Sequence, residues 1–187
     1  MRRRSRADRM KKTHSQRSKL ILVLGGAASG KSQAALDLAG QRGTRAFVAT
    51  GQAFDREMKV RIERHQATRS SAWETVEVPL EIEKWFTDNG NNYQSVILDC
   101  LTLWLNNMNE QHLLDSAISD ATADLLRAIR RTKAHVVVVS NELGLGLVPA
   151  TKAVRAFRDL AGRVNQQVAA EADEVYLVVS GLPLRLK

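Results

Sequence analysis

Five short apolar runs, each bounded by polar or turn residues, dominate the hydrophobic pattern of the chain. Within each run Val, Ile and Leu follow one another almost without interruption instead of alternating with polar residues. Such runs are typical of strands that are buried on both faces, as in a parallel sheet covered by helices. The predicted strands are residues 20–24, 46–50, 95–100, 135–140 and 174–180.

Segments with helical periodicity alternate with these strands. Strands that alternate with helices imply right-handed crossovers, so the pattern predicts an α/β fold: an open, mostly parallel sheet with helices on both faces. Two polar segments without periodicity, 89–92 and 106–112, are predicted to be flexible connections. The predicted helices are residues 32–39, 55–67, 80–86, 115–132 and 154–170.

A phosphate-binding motif follows the first predicted strand. The sequence GGAASGKS matches G-x-x-x-x-G-K-[ST] in full and precedes a predicted helix, which is the context that this motif requires. Backbone amides of the loop would surround the phosphates, Lys31 would contact the β- and γ-phosphates, and Ser32 would bind Mg²⁺. The alternative is a glycine turn with an exposed lysine. With the sheet, the motif predicts a P-loop NTPase fold of the RecA-like kind, and the loop residues are Gly25, Gly26, Ala27, Ala28, Ser29, Gly30, Lys31 and Ser32.

Asp99 is the candidate second ligand of the metal ion. It ends the third predicted strand, at the carboxyl edge where open α/β sheets bind ligands, and it would act on Mg²⁺ directly or through water. The alternative is that Asp99 caps a helix that follows at residues 101–105. A nucleotide and Mg²⁺ site of this kind is shared by kinases, GTPases and motor ATPases, so it does not identify the reaction.

His65 lies on the predicted helix 55–67, in line with Phe54, Met58 and Ile62. That spacing alone favours a packing role. A catalytic role is chemically coherent, because the neighbouring arginines would lower the histidine pKa and attract phosphate. A neutral imidazole that attacks an α-phosphorus would form a phosphoramidate, which divides a nucleotidyl transfer into two displacements.

Charge and cysteine content limit the choice of partners. The net charge is +8, yet residues 1–19 hold nine of the 28 basic residues and one of the 20 acidic ones, so the remainder is balanced. We therefore expect a basic, disordered extension at residues 1–18 and one domain at 19–187, with no nucleic-acid partner. The alternative for the extension is an arm that binds nucleic acid. No stretch is apolar enough to span a membrane. The single cysteine, Cys100, excludes an intramolecular disulfide and indicates the cytoplasm.

Several further blocks, in order from about Leu20 to Lys187, resemble one family. They include ATGQAFDREMKVRIERHQATR, ILDCLTLWLNNM, SNELGLGLVP and FRDLAGRVNQ, and the last two are much rarer strings than the P-loop. The family is the bifunctional adenosylcobinamide kinase / adenosylcobinamide-phosphate guanylyltransferase of cobalamin biosynthesis. The basic extension is not part of the family's common core.

The resemblance implies a two-step reaction. A nucleoside triphosphate, ATP or GTP, phosphorylates adenosylcobinamide, and GTP then donates GMP to that phosphate through a covalent GMP-histidine at the position of His65. It also implies a homotrimer. By the same matching, the nucleotide would contact Thr50, Gly51, Gln52, Gln66, Ala67, Thr68, Arg69, Glu77 and Asp99, in addition to the P-loop.

Some assignments and alternatives remain open on the sequence. Asn141 and Glu142, at the end of the fourth predicted strand, are candidates for orienting the cobinamide hydroxyl. Arg155, Arg158 and Arg163 are expected to form surface salt bridges, with a phosphate contact in a neighbouring subunit as the alternative. The alternative functions are a simple P-loop kinase of a small metabolite and a RecA-like ATPase that binds nucleic acid.

Overall fold

A computed structural model describes residues 19–41, 43–52, 56 and 72–187 of the protein. Its centre is a sheet of seven strands in the order β3-β2-β4-β5-β1-β6-β7. All neighbouring strands are parallel except β6 and β7, which are antiparallel. The strands are β1 (Leu20–Gly25), β2 (Arg45–Ala49), β3 (Glu74–Glu77), β4 (Ser95–Asp99), β5 (His135–Asn141), β6 (Glu174–Val179) and β7 (Leu182–Arg185).

Five α-helices of the described residues connect these strands. A 3₁₀ turn, Gly90–Asn92, directly follows the second of them, and the fifth begins after Thr151, whose hydroxyl accepts a hydrogen bond from the Val154 amide at 3.4 Å. The helices are α1 (Lys31–Ala39), α2 (Ile82–Asn89), α3 (Leu101–Glu110), α4 (Asp115–Arg131) and α5 (Lys152–Glu171).

The sheet is covered on both faces, as the uninterrupted apolar runs predict. In β1, Leu20 and Leu22 pack into a large cluster with α2, α3, α4 and α5. Ile21 and Val23 point to the other face and pack against α1. Because successive side chains of a strand point to opposite faces, both sets must be apolar, which explains why β1 does not alternate.

The five predicted strands and four of the predicted helices are confirmed within one or two residues at most ends. Two strands, β3 and β7, were not predicted, because the sequences ETVE and LPLR are short and largely exposed and carry no continuous apolar run. The predicted helix 55–67 lies outside the described residues apart from Arg56, and the extension 1–18 lies outside them entirely.

The prediction of flexible connections at 89–92 and 106–112 is wrong over most of both segments. Helix α3 continues to Glu110, with Asn107 and Met108 buried. The Asn107 amide donates to the carbonyl oxygens of Thr50 at 2.8 Å and Pro79 at 2.9 Å, so a polar residue holds the helix in place instead of ending it. At 89–92 the chain forms the end of α2 and the 3₁₀ turn.

Candidate active site

The P-loop connects β1 to α1 at the carboxyl edge of the sheet. A Cβ atom on Gly25 would lie 2.6 Å from both the Ser29 hydroxyl and the Val178 carbonyl oxygen, closer than any real side chain allows. Gly30, immediately before α1, has a φ of +96°, in the left-handed region that favours glycine. Both glycines of the motif are therefore required by the loop conformation itself. The resulting loop ends at the N-terminus of α1, where unpaired backbone amides attract phosphate.

The side chains of Lys31, Ser32 and Asp99 come together beside this loop. The Lys31 ammonium is largely buried and donates to the Gly26 carbonyl oxygen at 2.5 Å, so it folds back over the loop. The Ser32 hydroxyl donates to Asp99 Oδ2 at 3.0 Å. A hydroxyl and a strand-end carboxylate in contact are the protein ligands that a Mg²⁺–nucleotide site would need, with phosphates and water to complete the shell.

No further metal cluster is present in the described part of the chain. Among residues 19–41, 43–52, 56 and 72–187, no group of three or more His, Cys, Asp or Glu is placed to hold an ion. A site that depends on one hydroxyl, one carboxylate and substrate phosphates fits Mg²⁺, which retains several waters and needs few protein ligands. Metal binding at Ser32 and Asp99 therefore stays a prediction, and the contact between these two side chains is consistent with it.

Cys100, next to Asp99, is a buried free cysteine that is poorly suited to act as a nucleophile. Burial, reinforced by the negative charge of Asp99, raises the pKa of the Cys100 thiol to about 12. Since the thiolate is the nucleophilic form, the cysteine takes no part in covalent chemistry near neutral pH.

Thr50 ties β2 to β4 at the edge where the nucleotide residues were predicted. Its side chain is fully buried, and its hydroxyl donates to the Cys100 carbonyl oxygen at 2.7 Å and accepts from the Cys100 amide at 2.9 Å. Gly51 and Gln52 follow, and exposed Glu77 ends β3, with Ala49 of β2 as its partner. The structure thus brings these predicted residues to one edge. Their contacts with a nucleotide stay predictions.

Next to the P-loop, the end of β5 forms one wall of a cleft of about 800 Å³. The Glu142 amide donates to the Gly25 carbonyl oxygen at 3.0 Å, and the Asn141 amide donates to the Thr102 hydroxyl at 2.9 Å. The opposite wall is α5, where buried Asn165 donates to the Asn141 carbonyl oxygen at 3.1 Å. The cleft therefore begins directly beside the first glycine of the phosphate loop.

The comparisons with known proteins agree with this geometry. Residues 21–186 match the model of the family described as cobinamide kinase / cobinamide phosphate guanyltransferase. The chain belongs to this family. It is 39% identical over 180 residues to the bifunctional adenosylcobalamin biosynthesis protein CobU of Escherichia coli, covering 90% of this chain and 99% of that protein. It is 38% identical over 170 residues to the corresponding protein CobP of Pseudomonas aeruginosa, covering 89% and 96%.

A solved structure supports the fold. A prototypical ATPase from a bacterial type III secretion system aligns with a TM-score of 0.53 and 11% identity, covering 89% of this chain and 56% of that chain. At this identity the likeness concerns the fold alone, and it confirms the predicted P-loop NTPase architecture. No helix within the described ranges is both long and apolar enough to cross a bilayer.

His65 and the residues after it, Gln66, Ala67, Thr68 and Arg69, lie outside the described residues. The structure therefore does not test the assignment that carries the guanylyltransferase half of the family's chemistry.

The three arginines of α5 have separate partners. Arg163 pairs with Asp115 at 2.5 Å and Arg158 lies 3.6 Å from Asp159, as expected for surface salt bridges. Arg155 instead donates to the carbonyl oxygens of Pro149 at 2.9 Å and Ala150 at 2.7 Å, and so fixes the loop before the helix.

Sequence reasoning missed Asn107 and Asn165, which are both buried. Each is a polar residue among the buried residues of its helix. Asn107 precedes buried Met108 in α3, and Asn165 follows buried Val164 in α5. A buried amide must form hydrogen bonds, so a polar residue at a core-facing position was the available signal.

Proposed function

We propose that this protein phosphorylates adenosylcobinamide with a nucleoside triphosphate and then transfers GMP from GTP to the new phosphate, giving adenosylcobinamide-GDP. The observation that carries the proposal is the family match over residues 21–186, together with a P-loop in which Ser32 contacts Asp99. The fold alone would leave the reaction open, since P-loop proteins catalyse many reactions.

In the kinase step, the loop and Lys31 bind and orient the phosphates. The backbone amides at the start of α1 face the phosphate site, and Lys31, which donates to the Gly26 carbonyl oxygen within the loop, lies where it can donate to a phosphate oxygen. Ser32 and Asp99 would hold Mg²⁺, which neutralises charge on the phosphates when bound. The alcohol oxygen of adenosylcobinamide bonds to the γ-phosphorus and releases its proton to solvent. The bond between the γ-phosphorus and the bridging oxygen breaks, and the nucleoside diphosphate leaves.

In the transfer step, we assign His65 as the nucleophile. A ring nitrogen attacks the α-phosphorus of GTP and pyrophosphate leaves, which forms a GMP-histidine. A phosphate oxygen of adenosylcobinamide phosphate then attacks the same phosphorus and the P–N bond breaks, which restores the imidazole. The support is the sequence match of the segment around His65, with Gln66 to Arg69, Thr50 to Gln52 and Glu77 as candidate contacts to the guanine nucleotide.

Labelling from α-labelled GTP tests this assignment without the corrinoid. Incubation with Mg²⁺ should leave label that is labile to acid and stable to base, because a phosphoramidate has that stability. His65→Ala should abolish the label, whereas His112→Ala, which changes an exposed histidine beyond α3, should retain it. Wild-type protein that never acquires label would instead favour a plain kinase of a small metabolite.

We further propose a homotrimer located in the cytoplasm. The sequence resemblance supports the trimer, and the exposed apolar side chains of Val179, Leu182, Leu184 and Leu186 at the β6–β7 edge are suited to a subunit contact. The single cysteine supports the location. Light scattering coupled to gel filtration would give a mass of three chains, and a monomer at micromolar concentration would contradict it.

A further inference from the structure

We propose that the cleft between residues 142–148 and α5 binds the neutral, amide-bearing body of the phosphoryl acceptor, with the Asn165 carboxamide in its wall. This inference rests on the proposed function, because it identifies where the alcohol substrate of the kinase step docks. The sequence names Glu142, in the wall of this cleft, as a candidate for orienting the cobinamide hydroxyl, but neither it nor the family match assigns a role to Asn165.

The position of the cleft suits an acceptor. Leu24 of β1 and Glu142 both line it, and Glu142 is hydrogen-bonded to Gly25, the first residue of the P-loop. A ligand in the cleft therefore lies against the phosphate loop on the side of β5 and α5, away from the β2–β4 edge with Thr50 and Asp99. Its volume of about 800 Å³ is within the range of roughly 300–1,000 Å³ that small-molecule sites occupy.

Asn165 supplies the second, independent observation. Its side chain is 4% exposed, and although Nδ2 donates to Asn141, its Oδ1 has no hydrogen-bond partner among the residues that the structure describes. A buried acceptor without a donor is costly, and such groups in native proteins usually serve a ligand or water. The missing partner must be an N–H or O–H donor.

The charges of the cleft disfavour an ionic ligand. Arg158 and Arg163 line it, but both already lie beside carboxylates, at Asp159 and Asp115. Glu142 and Asp159 supply two negative charges against these two positive ones. An anionic or cationic ligand would therefore have to compete with pairs that are already formed.

A neutral ligand with primary amides satisfies these constraints. Each primary amide offers two N–H donors and one acceptor, which complements the carboxamides of Asn165 and Gln166 in the cleft wall. Val148 lines the cleft and exposes its apolar side chain, as do Leu145 and Leu147 in the same loop, although monomeric proteins tend to limit such patches. A cobinamide combines a ring of peripheral amides with large apolar faces, so its amides fit the wall and a face of its ring fits the exposed loop.

Gly162 provides a sharp test, because it lines the cleft from within α5. A Cβ at this position would meet no described atom within 4 Å, so Gly162→Leu fills the cleft without distorting the helix and replaces glycine by a better helix former. The matched control is Gln167→Ala. This residue neighbours the cleft residues, but its amide donates to the Ser119 carbonyl oxygen at 3.3 Å, on another side of the helix.

The experiment measures the binding of adenosylcobinamide in two ways, as Kd by isothermal titration of the full chain and as KM in the kinase assay. Gly162→Leu should raise both constants by at least about tenfold. Gln166→Ala should raise them by about three- to tenfold, as expected for one lost hydrogen bond. The KM for the nucleoside triphosphate should change by less than about twofold, and Gln167→Ala should match wild type. Asn165→Asp, which can retain an acceptor but loses the amide donor to Asn141, should fall between wild type and Gly162→Leu.

A folded Gly162→Leu protein with wild-type affinity for adenosylcobinamide would overturn the inference. So would a variant whose nucleotide KM rises in parallel with that of the corrinoid, since the cleft would then belong to the nucleotide. Failure of the proposed function has a different signature: wild-type protein would neither phosphorylate adenosylcobinamide nor acquire label from α-labelled GTP.

Discussion

Replacing Thr50 by Val tests whether the edge of the site is held together as the structure indicates. The two side chains have nearly the same shape, so no cavity forms and only the hydroxyl is lost. That hydroxyl satisfies both the amide and the carbonyl group of Cys100 in a fully buried position. The substitution leaves the buried Cys100 amide without its partner, whereas the Cys100 carbonyl oxygen still accepts from the Trp104 amide at 3.2 Å.

The expected loss of stability follows mainly from the Cys100 amide. Leaving one buried backbone group unsatisfied costs about 1–3 kcal/mol, so Thr50→Val should lower the free energy of unfolding by about 1–3 kcal/mol. That is a large fraction of the roughly 5–15 kcal/mol by which native proteins are stable. With a urea m-value of about 2 kcal/mol/M, the midpoint should fall by about 0.5–1.5 M.

Urea unfolding followed by far-UV circular dichroism measures this loss. Thr87→Val is the matched control, because the Thr87 hydroxyl donates to Glu83 on the exposed side of α2. Its free energy of unfolding should change by less than about 0.5 kcal/mol. An unchanged midpoint in Thr50→Val would refute the reasoning. If stability held but the KM for GTP rose, the hydroxyl would serve the nucleotide instead of Cys100.

Three further predictions concern two residues at the site and one histidine at the opposite edge of the sheet. Asp99→Asn should reduce kinase turnover by about a hundredfold or more in a steady-state assay, because Ser32 loses its charged partner and Mg²⁺ loses a ligand. Turnover within about threefold of wild type would exclude Asp99 from the metal site. Cys100, with its pKa raised to about 12 by burial, should not react with a thiol reagent at pH 8 until denaturant is added, and stoichiometric reaction of the folded protein would be inconsistent with the buried position. Burial lowers the pKa of His135 despite its contact with the Leu38 carbonyl oxygen, so the unfolded chain binds the proton more readily and stability should fall as the pH drops below about 6.5. Between about pH 7.5 and pH 5.5, the free energy of unfolding should decrease less in His135→Gln than in wild type. An equal decrease in both proteins would count against this histidine.

The order of strands and helices could be predicted because each buried strand carries its own local signal. Residues of β1, β4 and β5 are apolar on both faces, and the GxxxxGKS motif fixes the meaning of the turn after β1. The contact between Ser32 and Asp99 could also be anticipated, because Ser32 follows β1 and Asp99 ends β4, so both lie at the carboxyl edge of the sheet although β5 separates the two strands.

The remaining features depend on pairing that no local pattern reveals. Strand β3 is short and exposed, and it is defined by its register with β2, where Glu77 pairs with Ala49. Asn107 reads locally as the end of a helix, yet it continues α3 because its amide finds two carbonyl oxygens from distant segments. The same limit applies to Asn165, whose importance arises only when α5 packs beside β5.

The most direct test of the account is the mass of the corrinoid product. Purified full-length protein is incubated with adenosylcobinamide, GTP and Mg²⁺, and the corrinoids are followed by mass spectrometry over time. The account predicts a phosphate monoester first and a GDP conjugate after it, with the second product lost in His65→Ala. Unchanged adenosylcobinamide, or a monophosphate that never proceeds further with wild-type protein, would contradict it.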